Sequence, residues 1–303
     1  MSTGTRRIAV TGPGGRIGHG LCAGLTARGW TVIPLARRPD RFGPTTRPFD
    51  LGHETPPDLS SCDALVHLAL DHLPGRYRGG EGDDPAGFLR RNRDGTARLF
   101  AAAEAAGVAR VIFLSSRAVY GPQPRGARLT EATPCVPDTL YGQVKLAGEA
   151  LLRGRAFDGV ALRATGIYGP PPPGQLFKWA DLIAAYAHGV PVAPRQGTEL
   201  HLDDLTAAVD LLLRRAPADL PPCLNISDLL LDRRDLLALW TRLTGQTGPL
   251  PPRCDPKDFN VMNTDRARAL GWRPQGQAGL EAALRDHADT LGIRPLRGPC
   301  PID

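Results

Sequence analysis

Short apolar runs alternate along the chain with longer segments whose apolar residues recur three and four positions apart. Arg7 to Thr11 (RIAVT), Thr31 to Leu35 (TVIPL), Ala64 to Ala69 (ALVHLA), Arg110 to Ser115 (RVIFLS) and Gly159 to Arg163 (GVALR) read as strands. Ile17 to Arg28 and a segment from about Ala86 to Ala106 read as helices between them. Strands apolar throughout and separated by helices need cover on both faces. They predict an α/β, doubly wound parallel sheet of the Rossmann type with a smaller C-terminal lobe. After Arg163 the texture changes: Gly169-Pro-Pro-Pro-Pro-Gly174 reads as a stiff connector, and short helices and turns are expected beyond it. Leu231 to Thr244, Asp265 to Leu270 and Leu280 to Leu291 carry helical apolar spacing there.

Composition narrows the class without naming it. The 303 residues are 42% hydrophobic and 22% charged, ordinary globular usage that excludes wholesale disorder. Nearly all of the 37 basic residues are arginine, the lysines being Lys145, Lys178 and Lys257. The net charge of +6 is scattered, with no basic stripe and no interleaved aromatics, so no nucleic-acid partner is expected. Six cysteines (Cys22, Cys62, Cys135, Cys223, Cys254, Cys300) form no CxxC pair, and the seven histidines show no i,i+4 pairing. Reduced thiols, no metal and a cytoplasmic location follow as expectations. The start MSTGTRR lacks an apolar targeting region and no apolar run approaches 18 residues, so neither export nor a membrane span is expected.

Directly after the first strand stands Thr11-Gly12-Pro13-Gly14-Gly15-Arg16-Ile17-Gly18, opening the first helix. Gly12 permits a tight turn, Gly15 lets backbone N–H groups approach a pyrophosphate, and Gly18 lets helix and strand pack closely. Glycine spacing alone also fits a flexible turn; its place between strand and helix favours dinucleotide binding. Residues 1–165, with 200–226 contributing, are then the dinucleotide-binding domain, and 166–303 mainly the substrate lobe. The second strand ends in Ala36 where an NAD site carries an acidic residue, and Arg37 and Arg38 follow. Two guanidiniums suit a 2′-phosphate, so NADP is expected over NAD, although both arginines also fit a solvated surface. Asp50, before Leu51, reads either as an acceptor for the adenine amino group or as a turn cap.

Tyr141 and Lys145 lie four apart in a helix-patterned segment, so their side chains share a face. With five tyrosines and three lysines, chance supplies about 0.05 such pairs. A neighbouring ammonium brings a phenol, whose ordinary pKa is about 10, towards working pH, though the pair equally suits a structural contact. Ser115-Ser116-Arg117-Ala118-Val119-Tyr120-Gly121 sits at the carboxyl end of a strand, where open α/β sheets bind ligands. A serine there can hold a substrate oxygen beside Tyr141.

These residues resemble the extended short-chain dehydrogenase/reductase family, the NAD-dependent epimerase and dehydratase group, over nearly the whole chain. The resemblance rests on Thr11 to Gly18, Val66-His67-Leu68-Ala69, Asn92-x-x-Gly95-Thr96, the S-S-x-x-V-Y-G segment and the Tyr141/Lys145 spacing. It continues through Leu162-Arg163, Ile167-Tyr168-Gly169-Pro170, His201-Leu202-Asp203-Asp204, Leu224-Asn225-Ile226 and Leu270-Gly271-Trp272-Arg273-Pro274. It implies Ser116, rather than Ser115, as the catalytic serine, Tyr141 as acid/base, and Lys145 as its partner and ribose anchor. Asn92 becomes a cofactor-side or supporting residue, Leu68 and Ala69 part of the cofactor wall, and His201 a structural position. A homodimer through the helix of Tyr141 and Lys145 is implied as well.

Departures from the family pattern narrow the activity. Dehydratases of the group place Asp-Glu after the catalytic hydroxyl; Arg117-Ala118 stands here. Sugar-nucleotide enzymes carry an Asn after the Leu-Arg pair and an Arg before the His-x-x-Asp stretch; Gly166 and Thr198 stand here. The expectation is an NADP(H)-dependent ketoreductase or alcohol dehydrogenase acting on a small non-nucleotide substrate. An epimerase and a catalytically silent cofactor sensor are the alternatives. Cys135 and Arg117 lie close enough in sequence to face substrate, or are bystanders.

Overall fold

Parallel pairing organises the computed structural model, which describes residues 6–73, 76 and 79–294. One seven-stranded sheet runs β3 (Arg47–Pro48), β2 (Thr31–Ala36), β1 (Arg7–Thr11), β4 (Ala64–His67), β5 (Arg110–Ser116), β6 (Asp158–Ala164), β9 (Cys223–Ile226), every neighbour parallel. Chain order reverses between β1 and β4. The crevice beyond their carboxyl ends is therefore the topological switch point of a doubly wound fold. Pro34 is tolerated because β3 pairs only with Leu35 and Ala36, so β2 is an edge at that residue.

Both faces of the sheet are buried, which is why its strands read as unbroken apolar runs. Ile8, Val10, Val66, Ile112 and Leu162 face α1 (Arg16–Ala27) and α5 (Leu202–Arg214) through Leu21, Leu25, Leu205, Val209 and Leu212. Ala9, Leu65, Val111, Phe113 and Ala161 face the other side, against Leu99, Phe100 and Ala103 of α2 (Pro85–Ala105). The helix α3 (Leu140–Leu151) lies beside α2 and β5.

The C-terminal part holds more strand than its sequence suggested. A second sheet has the order β10 (Leu229–Asp232), β8 (Gln196–His201), β7 (Gly166–Tyr168), with β7 parallel and β10 antiparallel to β8. Around it α4 (Ala180–Ala187), α6 (Arg233–Thr244) and α8 (Gln277–Thr290) bury Tyr168, Ile183, Tyr186, Leu236, Trp240 and Leu284. Leu231, expected to open a helix, lies in β10, and the helix starts two residues later where Asp232 accepts a bond from Arg234 N. Short apolar runs carry no period that separates strand from helix, which accounts for the difference. The helix α7 (Asp265–Ala269) packs its buried Ala267 under the main sheet with Trp272. Among the described residues no helix is long and apolar enough to cross a membrane. Cys300 and the final residues lie outside the described residues.

Candidate active site

The glycine loop turns because its glycines have no side chains. Gly12 has φ +70°, a left-handed conformation, and its N–H donates to Leu35 O at 3.3 Å. A Cβ on Gly18 would stand 2.0 Å from Gly12 O, so only glycine lets α1 start this close to β1. Gly15 caps α1 without any side-chain bond, and no acidic residue occupies the first turn. The first N–H groups and the positive end of the helix dipole are thus left for an anion, which fits a dinucleotide pyrophosphate. Gly14 and Gly15 are exposed, and Arg16 and Ile17 half-buried.

A buried brace holds the crevice open at the switch point. Thr11 Oγ1 accepts bonds from Leu68 N at 2.9 Å and Ala69 N at 3.0 Å, and lies 2.8 Å from His67 Nδ1. With both lone pairs engaged, the hydroxyl donates to Nδ1, and Nε2–H donates to Thr96 Oγ1 at 3.0 Å. Burial, with Lys145 nearby, pushes the His67 pKa down to about 3, so the ring stays neutral. Asn92, 1% exposed, accepts from Asp71 N at 2.8 Å and donates to Asp71 O and Phe88 O, tying the loop after β4 to α2.

The Tyr141/Lys145 helix is seated by two glycines. A Cβ at Gly142 would meet Ala118 O at 2.6 Å and one at Gly148 the Phe113 ring at 2.4 Å, so α3 lies directly on β5 and the turn after it. Thr139 caps the helix by accepting from Gly142 N. Lys145 is 3% exposed; its Nζ donates to Leu114 O at 2.7 Å and stands 5.8 Å from the Tyr141 ring centre and 5.0 Å from that of Phe113. Burial lowers its pKa to about 8. Ser116, half-buried at the end of β5, accepts from Ala118 N at 3.2 Å, which leaves its hydroxyl proton to donate.

Ser115 is engaged elsewhere. Its hydroxyl donates to Glu149 Oε1 at 2.5 Å, and Arg163 clasps the same carboxylate at 2.7–3.3 Å. Arg163 also donates to Tyr120 OH at 3.0 Å, and that hydroxyl donates to Asn225 Oδ1 at 2.6 Å. Burial pushes the Tyr120 phenol up to about 12, which disqualifies it as an acid/base at neutral pH.

On the far side of the crevice, Ala164 lies in register with Ser116, and the exposed Gly166 follows two residues on. A Cβ there would meet Glu199 Oε2 at 2.7 Å and Lys178 Nζ at 2.8 Å. These two pair closely with each other. Desolvation lowers the lysine's pKa and raises that of the glutamate. Arg16 reaches across from α1 and donates to Leu176 O at 2.9 Å, linking the glycine loop to the segment before Lys178.

The family can now be read from outside the chain. A profile described as the NAD dependent epimerase/dehydratase family matches residues 8–226. The chain belongs to that family. It is thus an NAD(P)-dependent enzyme of the extended short-chain dehydrogenase/reductase type. Its relatives include a protein from Kitasatospora kifunensis named dTDP-6-deoxy-L-talose 4-dehydrogenase (NAD(P)(+)), 30% identical and covering 97% of this chain and 98% of its own. Another, from a Streptomyces species, is named 3-diazoavenalumate denitrifying reductase; it is 29% identical over 95% of this chain and 96% of its own. Among solved structures, the UDP-glucose 4-epimerase of Thermus thermophilus in complex with NAD superposes with a TM-score of 0.72 at 25% identity, covering 93% of this chain and 98% of its own.

Against this enzyme's geometry, the remaining sequence candidates separate. Arg37 and Arg38 are exposed just past β2. Asp50 Oδ1 accepts from Gly52 N at 2.8 Å, a turn bond beside the buried Leu51. The Arg117 guanidinium lies 4.7 Å over the Phe259 ring and donates to Asn260 O, a structural engagement. Cys135 has its thiol pKa raised by burial, the reverse of an activated nucleophile. His201 accepts from Asp203 N and caps α5. Sequence reasoning missed the Glu149–Arg163 and Lys178–Glu199 pairs. Glu149 had one signal, its four-residue spacing from Lys145; Lys178 and Glu199 meet only through the second sheet.

Proposed function

We propose that the enzyme is an NADP(H)-dependent ketoreductase or alcohol dehydrogenase whose substrate is a small or medium-sized molecule without a nucleotide diphosphate. The observation that carries this reading is the buried Lys145 ammonium, 5.8 Å from the Tyr141 ring centre, on a helix seated against the strand that ends in Ser116. Ser116 donates to the substrate oxygen. Tyr141 protonates that oxygen in reduction and takes the proton back in oxidation. Lys145 stabilises the phenolate and donates to the ribose hydroxyls. Gly12, Gly15, Arg16, Ile17 and Gly18 hold the pyrophosphate at the α1 terminus. Thr11, Leu68, Ala69 and Asn92 shape the wall beside it, Asp50 and Leu51 border the adenine, and Arg37 and Arg38 take the 2′-phosphate. When bound, the cofactor supplies or accepts hydride.

The positions after Ser116 hold no acid, and Arg117 is committed to Phe259 and Asn260, which supports simple hydride transfer over elimination. The dehydrogenase part of the Kitasatospora relative's name supports the hydride chemistry, while its dTDP-sugar part stands on the side of a nucleotide substrate. Against a diphosphate stand Gly166, the uncharged and buried Thr198, and a Lys178 already neutralised by Glu199. At positions 166 and 198 themselves, two phosphate charges would find neither of the donors that the family's sugar-nucleotide enzymes carry there. A homodimer through the α3 face and a cytoplasmic location belong to the same reading.

Two measurements test it. With a panel of ketones, NADPH absorbance should fall in proportion to product, and Tyr141→Phe should abolish turnover while keeping NADPH affinity. Cofactor-neutral interconversion of epimers would point to an epimerase instead. Calorimetric titration of the NADPH-loaded enzyme with dTDP or UDP should show no binding; micromolar binding would overturn the non-nucleotide assignment.

A further inference from the structure

Glu149 stands one helical turn beyond Lys145 on α3, the i,i+4 spacing at which a carboxylate and an ammonium ordinarily pair. They are kept apart. Among the described residues the ion pair of Glu149 is with Arg163, whose Nη2 donates to Oε2 at 2.7 Å and whose Nε lies 3.0 and 3.3 Å from the two oxygens. Ser115 Oγ saturates Oε1 at 2.5 Å. The Glu149 and Arg163 side chains are only 5% and 6% exposed. Lys145 turns instead to the carbonyl of Leu114, the residue preceding Ser115. Two adjacent residues of β5 thus receive two buried groups of opposite charge that never join.

We propose that Arg163 is a positioning residue for the Tyr141/Lys145 pair: it sequesters Glu149 and so leaves the Lys145 ammonium to the Leu114 carbonyl and to the reacting side of the crevice. The proposal rests on the acid/base assignment of Tyr141 and Lys145. Without the Arg163 fork, Glu149 would regain free lone pairs within a flexible side chain's reach of Lys145. The ammonium would then be drawn along α3, away from the crevice, and stabilised in its charged form. The titratable groups that face Lys145 are Tyr141 on its own helix and neutral His67 at the end of β4, while Glu149 lies one turn along α3, paired with Arg163 of β6.

The chain's three lysines make the test direct. Protein labelled with 13Cε-lysine gives a resonance for each, and Lys145 is assigned by its loss in Lys145→Arg. In Arg163→Met the Lys145 titration midpoint should rise by about 1–3 pH units, the effect of a carboxylate brought into contact. The double variant Glu149→Gln/Arg163→Met should restore the wild-type midpoint. A purely structural role would lower the melting temperature in both without moving that midpoint, and an unchanged midpoint in folded Arg163→Met overturns the proposal. Should Arg163→Met fail to fold, Arg163→Lys carries the test, because one ammonium cannot occupy both oxygens as the fork does. It should raise the midpoint by a smaller amount, and no rise is equally fatal. The titration reads the ammonium itself, so this result is separate from the Tyr141→Phe result on the acid/base role.

Discussion

The Thr11 hydroxyl and the His67 Nδ1 lie 2.8 Å apart where β1 and β4 end side by side, at the mouth of the switch-point crevice. The Thr11 hydroxyl serves three groups at once: the ring of His67 and the N–H groups of Leu68 and Ala69. Thr11→Val is almost isosteric but strands two donors and the imidazole. Each unsatisfied buried group costs about 1–3 kcal/mol; with the imidazole buried and the two N–H groups half-buried, urea denaturation should show a loss of about 3 kcal/mol or more. Thr11→Ser, which keeps the oxygen, should recover most of it.

A second consequence concerns acid stability. The folded His67 has its pKa depressed to about 3 by burial, against an unfolded value near 6.5. His287 is likewise depressed, buried against Phe177 at 4.7 Å and, among the described residues, with no partner for Nε2. Between the unfolded and folded values the unfolded chain binds the extra protons, so stability is present above pH 6.5 and lost as pH falls. His67 should contribute a slope of up to about 1.4 kcal/mol per pH unit over that window, and His287 a slope of the same sign. Chemical denaturation from pH 7.5 to 4.5 should show the slope reduced in His287→Leu; an unchanged slope would remove His287 from the account.

The Lys145 ammonium gives the opposite window. Its folded pKa of about 8 means that the free enzyme loses this charge as pH rises through 8. NADPH affinity, followed by fluorescence, should therefore weaken above pH 8 if Lys145 grips the ribose. Lys145→Met should bind more weakly at pH 7 and show a flat profile from 7 to 9.

How far the chain announced this arrangement depends on how local each signal was. Thr11 to Gly18, Ser116 and the Tyr141/Lys145 spacing each lie within one strand end or one helical turn, and their local geometry follows from a few neighbours. The second sheet was not legible, because Leu229–Asp232 has four residues and no period of its own. Glu149 could be placed on the face of Lys145, but its true partner, Arg163, comes from a strand that pairs with β5 only after the sheet has formed. The same applies to Lys178 and Glu199, which meet where Gly166 leaves room.

Gly18→Ala tests the close approach on which the cofactor groove depends. The added methyl would lie 2.0 Å from Gly12 O and 2.8 Å from Gly12 C, both backbone, so no side chain can yield. Overpacking of this kind costs about 1–3 kcal/mol, and here it would also displace the α1 terminus from the proposed pyrophosphate position. A loss of stability together with a tenfold or greater weakening of NADPH binding is expected. Stability lost with affinity intact would separate the turn from the cofactor.

The proposed choice of NADP over NAD rests on the residues just past β2. Ala36 offers no carboxylate to a ribose 2′-hydroxyl, while Arg37 and Arg38 are exposed and directed by neither a cap nor an ion pair among the described contacts. A charge-assisted bond to a 2′-phosphate is worth about 1.5–3 kcal/mol. Replacing both arginines by alanine should therefore raise the NADPH dissociation constant by about 10–100-fold and leave that of NADH within about twofold. Because the lost attraction is electrostatic, the proposed preference for NADPH should also shrink as salt rises from 50 to 500 mM, while NADH binding changes little. Equal losses for both cofactors would place the arginines at the pyrophosphate or adenine instead, and no loss for either would return them to the solvated surface.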